Sequence, residues 1–364
     1  MLIPISKPII GEEEIRAVTE VLKSGNLVQG KKVEQFERDF SKYIGTNFSV
    51  AVSSGTSALQ IGLQSLGIGK GDEVITTPFT FAATSNAVLH CGAKPVFVDI
   101  ERETYNIDPE KIPEKVSDKT KALICVHLYG QPCDMDSLKG ICKEKGLFLV
   151  EDAAQAVGAE YKGKKVGGFG DLGAFSFYAT KNITTGEGGM ITTGSKEIAE
   201  KASIIRNQGQ TSQYRHEIIS YNFRMTDIQA AIGIEQLKKI EELNRKRIDN
   251  ARFLTDSLSS VEGIEVPFVS KNVKHVFHQY TIRVLNGKRD YLLEYLNKNG
   301  IGARVYYPEP VYLQPAYIKM GFRKGLCPEA ERASREVVSL PVHPALTEKE
   351  LEEVVKGVKE VLKS

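Results

Sequence analysis

Short apolar runs that alternate with helical patterns restrict the fold of this chain more than any other feature. Residues 48–52, 72–76, 95–99, 122–128 and 147–150 are strand-length and mostly apolar. Helical patterns lie between several of them: 58–66, a crossover expected over 109–120, and 135–145. Strand and helix in steady alternation argue an α/β fold, with a mostly parallel central sheet covered by helices on both faces. Ahead of the first strand, Ile15, Val18, Val21 and Leu22 mark an amphipathic helix over 11–24 that Gly25 stops. Val33, Phe36, Phe40 and Ile44 mark a second that ends at Gly45.

The later part of the chain reads differently. A helical pattern runs from Asp227 to about Leu258, but Ile228, Ala231, Ile232, Leu237 and Ile240 hold no heptad for long. It reads as a connecting helix rather than a coiled coil. Beyond Val261 the pattern becomes α+β, with strands expected at 279–285 and 303–307 around a helix at 289–299. The last helix opens on the capping box Thr347-x-x-Glu350. The expected organisation is a large domain of residues 1–245 and a smaller C-terminal domain of residues 246–364.

Composition removes several function classes. Lys and Arg number 48 against 46 Asp and Glu, a net charge of +2, so there is no basic footprint for nucleic acid. The longest apolar runs are strand-length, which argues against a membrane span, and MLIPISKPII has no signal-peptide core. Cys91, Cys125, Cys133, Cys142 and Cys327 are scattered without C-x-x-C spacing, so reduced thiols, a cytoplasmic location and no metal site are expected.

Chemistry concentrates at residues 171–193, DLGAFSFYATKNITTGEGGMITT. The run 174–178 reads as a buried strand, followed by Lys181, a glycine-rich turn over 184–189 and a second strand over 190–193. A lysine just beyond a core strand is desolvated, which favours the neutral amine that attacks a carbonyl. A surface lysine on a β-turn fits the same stretch. About thirty residues upstream, the 147–150 strand runs into Glu151 and Asp152. A carboxylate there points into the crevice where α/β sheets bind ligands. Lysine for a Schiff base and an acid for a pyridine nitrogen are the two groups that a pyridoxal phosphate site requires.

A third element is an anion site. The strand 48–52 turns through Ser53-Ser54-Gly55-Thr56-Ser57 into a helix, so free N–H groups and the positive end of the helix dipole meet there. Plain N-capping by Thr56 or Ser57 is the alternative. Gly168-Phe169-Gly170-Asp171-Leu172-Gly173 matches G-x-G-x-x-G, but it precedes a strand instead of opening a helix. It is therefore not a dinucleotide site.

From KPIIGEEE near the start to LPVHP near the end, and above all over EDAAQAVGAEYKGKKVGGFGDLGAFSFYATKNITTGEGGMITT, the chain resembles the DegT/DnrJ/EryC1/StrS sugar aminotransferases. The resemblance implies the aspartate aminotransferase-like fold type I and pyridoxal 5'-phosphate (PLP) as cofactor. It assigns Lys181 to the cofactor aldehyde, Asp152 to the pyridine nitrogen and Gln155 to the ring's 3′ oxygen. The phosphate falls to Gly55, Thr56, Ser57 and Ser176, with Asn222 reaching it from a neighbouring subunit. Phe81 matches the aromatic that covers the ring, although Phe79 leaves the register open by two. Tyr306 and Tyr307 fall in a segment that contacts the sugar nucleotide, where many relatives carry histidine at the Tyr306 position. His275 and His278, beside an apolar run, read as structural or substrate-facing.

The implied reaction is transfer of an amino group from an amino acid, glutamate, to a nucleotide-linked keto-sugar by a homodimer with shared active sites. The run Thr184-Thr185-Gly186-Glu187-Gly188-Gly189 resembles members that aminate C4. Amination at C3 and a PLP-dependent dehydratase or lyase are the alternatives. Relatives that are dehydratases carry histidine in place of the lysine, and this chain keeps Lys181.

Overall fold

The structure is a computed structural model that describes residues 2–285 and 287–362. Its central sheet holds β1 (Phe48–Val52), β2 (Glu73–Thr76), β3 (Lys94–Phe97), β4 (Thr120–Val126), β5 (Phe148–Asp152), β6 (Leu172–Ser176) and β7 (Gly189–Thr193). Their spatial order is β1-β7-β6-β5-β4-β2-β3. Only β7 runs against its neighbours β1 and β6, and the other pairs are parallel.

Alternation along each strand divides the two faces. On β1, Val50 and Val52 pack with α3 (Gly55–Ser65) and α6 (Lys196–Arg206), while Ala51 faces α2 (Lys31–Ile44) and α7 (Asp227–Leu258). On β4, Ala122 and Ile124 take one side and Leu123 and Cys125 the other, against α5 (Met135–Lys145). The α2 side is aromatic. Phe40 stacks edge-on to Phe175 and Phe177 at centroid distances of 5.0 and 5.4 Å. Each fully buried phenylalanine stabilises the fold by roughly 2–3 kcal/mol. Gly233, in the middle of α7, lets Phe36 approach: a Cβ there would lie 2.6 Å from its ring.

The long helix changes partners along its length. Ala230, Ile234, Ile240 and Leu243 belong to the core beneath α2, whereas Ala251, Leu254 and Leu258 belong to the core of the C-terminal sheet. That antiparallel sheet joins Ile264–Glu265, Tyr280–Val284 and Val337–Leu340. Ile3 packs into the same core, so the chain's start returns to the C-terminal unit. The capping box at Thr347 and Glu350 forms as expected, with Thr347 N–H donating to Glu350 Oε2 at 2.8 Å.

Several local expectations are corrected. Residues 109–120 form two 3-10 turns, Pro109–Lys111 and Pro113–Lys115, instead of a helix. Pro113 has no N–H to continue an α-helix, which ends the pattern its Glu and Lys neighbours suggest. The helix α4 (Ala83–His90), after β2, was not anticipated. Residues 303–307 are not a strand: only Arg304 bridges to Ser339, and Val337–Leu340 takes the pairing with Tyr280–Val284. The strand expected over 174–178 lies two residues earlier, as β6. Residues 214–220 read as irregular in sequence, but Arg215–His216 pairs with Gln210–Ser212 in a small hairpin. Among the described residues, no helix is long and apolar enough to cross a membrane.

Candidate active site

A cleft of about 550 Å³ opens where β5 and β6 end, the position at which parallel sheets expose ligand sites. Asp152 closes β5, and Lys181 follows β6 in a turn closed by its N–H donating to the Tyr178 carbonyl at 2.9 Å. The turn exists, but the amine lies in the cleft rather than on the surface. Burial lowers Lys181 to about 8, and the Asp152 charge opposes the shift only in part. Near neutral pH a usable fraction of the amine is therefore unprotonated and nucleophilic.

Asp152 is 5% exposed, and burial pushes its carboxyl up. Thr84 Oγ1 donates to Oδ2 at 2.7 Å and the Ala154 N–H to Oδ1 at 3.2 Å, which favours the charged form. The positive charge of Lys181 acts in the same direction. Behind it, Glu151 is fully buried and accepts the N–H groups of Gly167, Phe169 and Gly170, each at 2.7 Å. The glycine-rich turn thus wraps the protein's own carboxylate, which explains why G-x-G-x-x-G is no dinucleotide site here. His127 Nε2 lies 3.1 Å from Glu151. Burial opposes a charge on this ring, whereas Cys133 and Glu151 favour one; because Nδ1 accepts the Cys133 N–H, the neutral ring donates from Nε2 to Glu151.

At the cleft's other end stands the N-terminus of α3. Its cap is Ser54, not Thr56 or Ser57: Ser54 Oγ accepts the Ser57 N–H at 3.1 Å, and Ser57 Oγ accepts the Ser54 N–H at 2.9 Å. That capping box occupies the Ser57 hydroxyl, while Ser54, Gly55, Thr56 and Ser176 line the cleft. A Cβ on Gly55 would sit 2.7 Å from Ser176 Cβ. Glycine is what allows the start of α3 and the end of β6 to converge on one point.

The remaining expected residues divide cleanly. Gln155 Oε1 accepts the Tyr129 N–H at 2.9 Å, which fixes its amide so that Nε2 donates, here to Tyr307 Oη at 3.0 Å. Phe81 is 63% exposed and lines the cleft, whereas Phe79 is fully buried. Tyr306 and Tyr307 both line the cleft. Asn222 is exposed, bridges to Asn207 and lies outside the cleft of its own chain. His278 lines the cleft, while His275 is buried and stacked on Phe277. Thr84 escaped the sequence reading, because its partner is 68 residues away and nothing local marks it.

The cysteines are all free, with Cys91 half-buried and the other four buried. Ligand atoms of Cys125, His127 and Cys133 come within 4.8 Å of one another. Both imidazole nitrogens already have partners: Nε2 meets Glu151, and Nδ1 accepts the Cys133 N–H at 3.1 Å.

Comparison with known proteins agrees with this architecture. The DegT/DnrJ/EryC1/StrS aminotransferase family matches residues 8–359. The GDP-perosamine synthase of Vibrio cholerae is 36% identical over 98% of this chain and 98% of its own length. The dTDP-3-amino-3,4,6-trideoxy-alpha-D-glucose transaminase of Streptomyces venezuelae is 39% identical over 96% of this chain and 93% of its own. A crystal structure of S. venezuelae DesV with a ketimine intermediate superposes with a TM-score of 0.94 at 38% identity, covering 97% of this chain and 95% of that one. The protein belongs to the DegT/DnrJ/EryC1/StrS aminotransferase family. It is an aminotransferase with that family's fold.

Proposed function

We propose that this enzyme moves an amino group from glutamate to a keto-sugar carried on a nucleoside diphosphate, with pyridoxal phosphate as cofactor. The observation that carries the reading is one cleft holding Lys181 and Asp152 at the ends of adjacent strands, with the N-terminus of α3 facing them. These residues fit the cofactor chemically. The Gly55 cradle, too tight for a Cβ, brings Thr56 and Ser176 together with free helix N–H groups, as a phosphate requires. Asp152, a buried acid with its charge only partly compensated, is suited to a pyridine N–H. Gln155 presents a donor to a ring oxygen, and Phe81 offers a flat cover.

Pyridoxal phosphate, when bound, supplies the electron sink that lets a proton leave the carbon next to nitrogen. The protein's part is positional and protolytic. Asp152 holds the proton on the ring nitrogen. Lys181, with a pKa near 8, takes up a proton at Nζ and returns it within the same cleft. Phe81, Tyr306 and Tyr307 exclude water from one side of that transfer.

The nucleotide on the acceptor is supported by the names of both relatives, a GDP and a dTDP sugar enzyme. Glu187, within the Thr184–Gly189 loop, lines the same cleft as Lys181, and the resemblance of this loop to members that aminate C4 supports amination there. The Streptomyces name places its nitrogen at C3, which supports C3 as the second reading. The retained Lys181 speaks against dehydration. A shared-site homodimer is supported by Asn222, which is exposed and lies outside the cleft of its own chain, and by the exposed apolar side chains Tyr214, Ile219 and Tyr221 near it in sequence.

The test is a panel of nucleotide-linked keto-sugars incubated with glutamate and the cofactor-loaded enzyme, read by mass spectrometry. Amino-sugar and 2-oxoglutarate should appear together. Loss of water from the sugar without gain of nitrogen would overturn the reading.

A further inference from the structure

One wall of the cleft carries a buried imidazole. His278 lines it and is 6% exposed, and its protonation pattern can be deduced from its surroundings. Asn244 Nδ2 donates to the Val157 carbonyl at 2.9 Å, so Asn244 Oδ1 is the acceptor that faces Asn182. Asn182 Nδ2 donates to that oxygen at 2.7 Å and to the Val276 carbonyl at 3.2 Å. Two main-chain carbonyls thereby fix both amides. The atom Asn182 turns toward His278 is its oxygen, 3.2 Å from Nδ1. Nδ1 must carry the proton, and Nε2 is left with a lone pair.

Nothing nearby favours a second proton on this ring. Burial, and then the charges of Lys181 from the β6 turn and Arg247 from α7, hold the imidazolium far below its ordinary range. The contact to Nε2 is Gln279 Nε2 at 3.4 Å, long for a hydrogen bond. Lys181, Gln155 Nε2 and the first N–H groups of α3 supply donors to the cleft, and the carboxylate of Glu187 is an acceptor on its exposed side. Asp152 already accepts from Thr84 and Ala154. On the buried wall, reactants rich in hydroxyl and ammonium groups meet an acceptor in His278.

We propose that His278 binds the reactant as the Nδ1–H tautomer of imidazole, accepting at Nε2 a hydrogen bond from a hydroxyl or ammonium group. The identity of that reactant rests on the transamination reading, while the tautomer does not. Asn182 and Asn244 are positioning residues that act through His278.

The experiment combines nitrogen NMR with kinetics on the cofactor-loaded enzyme. In protein labelled with ¹⁵N-histidine, the signal lost in His278→Phe should show the Nδ1–H pattern, unchanged from about pH 6 to pH 9. Its Nε2 shift should move when glutamate or the keto-sugar is added. His278→Phe should raise KM by about tenfold, the usual effect of one lost hydrogen bond. A rise for glutamate alone assigns the bond to the ammonium, and a rise for the sugar alone assigns it to a hydroxyl. Asn182→Leu removes the acceptor at Nδ1 and frees the ring to carry its proton on Nε2, which then becomes a donor. It should reproduce the KM increase with an Nε2–H signal. Should His278→Phe fail to fold, Asn182→Leu decides the matter, with its shifted signal used for assignment. An Nε2–H pattern in the native protein overturns the inference. So does an unchanged KM for both reactants in a folded variant. Absence of any transamination with the Nδ1–H pattern and a glutamate-dependent shift intact would instead count against the reaction assignment alone.

Discussion

Thr84 Oγ1 donates a 2.7 Å hydrogen bond to Asp152 Oδ2, joining the start of α4 to the end of β5. Thr80 Oγ1, 3.0 Å from Thr84 Oγ1, helps to orient the hydroxyl. A hydroxyl bonded to a buried carboxylate stabilises its charged form, and such bonds contribute about 1.5–3 kcal/mol. Thr84→Val should therefore raise Asp152 by roughly one to two pKa units. Asp152 must be ionised to hold the ring proton, so the acid limb of kcat/KM should move to higher pH while the plateau above it is kept. An unmoved limb in a pH–rate profile would show that Thr84 does not tune Asp152.

Gly55→Ala tests the convergence of α3 and β6. The added Cβ would meet Ser176 Cβ at 2.7 Å, so one of the two elements must withdraw. Overpacking of this kind costs about 1–3 kcal/mol, and the phosphate cradle should lose at least tenfold in cofactor affinity by absorbance titration. Ser57→Ala, which opens the capping box, should lower thermal stability by the ~1 kcal/mol of a lost cap. Equal cofactor affinity in Gly55→Ala and the native enzyme would remove this turn from the site.

Sharing of the active site between two subunits is tested by complementation. Mixed Lys181→Ala and Asn222→Ala subunits should regain up to about a quarter of native activity per protomer after random re-association. In each heterodimer one site carries both lesions and the other neither. Mixtures no more active than their parents, or a fully active monomer in sedimentation, would contradict the arrangement.

The carbon that receives nitrogen is decided by a matched pair of substrates, one 4-keto and one 3-keto sugar on the same nucleotide. The Thr184–Gly189 loop beside Lys181 leads us to expect higher kcat/KM for the 4-keto sugar, since a shift of about 1 Å at the reacting centre can cost a hundredfold. Preference for the 3-keto sugar would reverse that expectation and leave aminotransfer intact.

Features set by neighbours along the chain were legible before the structure. Asp152 and Lys181 stand at strand ends, and strand ends can be found from apolar runs. The expected helix boundaries at 135–145 and 227–258 coincide with α5 and α7 for the same reason. Features made by distant segments were not legible. Thr84 reaches Asp152 through space, and the tautomer of His278 depends on carbonyls of Val157 and Val276 that no local pattern reveals. At 303–307, β-favouring residues suggested a strand, but Tyr306 and Tyr307 turn into the cleft, where Tyr129 Oη holds the Tyr306 carbonyl.

Lys181 is the residue proposed to carry the cofactor. Burial lowers its amine to about 8, so the neutral fraction, and with it the rate of attachment to added pyridoxal phosphate, should rise as pH increases through 8 and level off above it. The most direct measurement is peptide mapping by mass spectrometry after the yellow, cofactor-loaded enzyme is reduced with borohydride. The pyridoxyl group should be found on the peptide containing Lys181, and Lys181→Ala should fold, remain unlabelled and lose turnover. A label on another lysine, or transamination that survives in Lys181→Ala, would contradict the account.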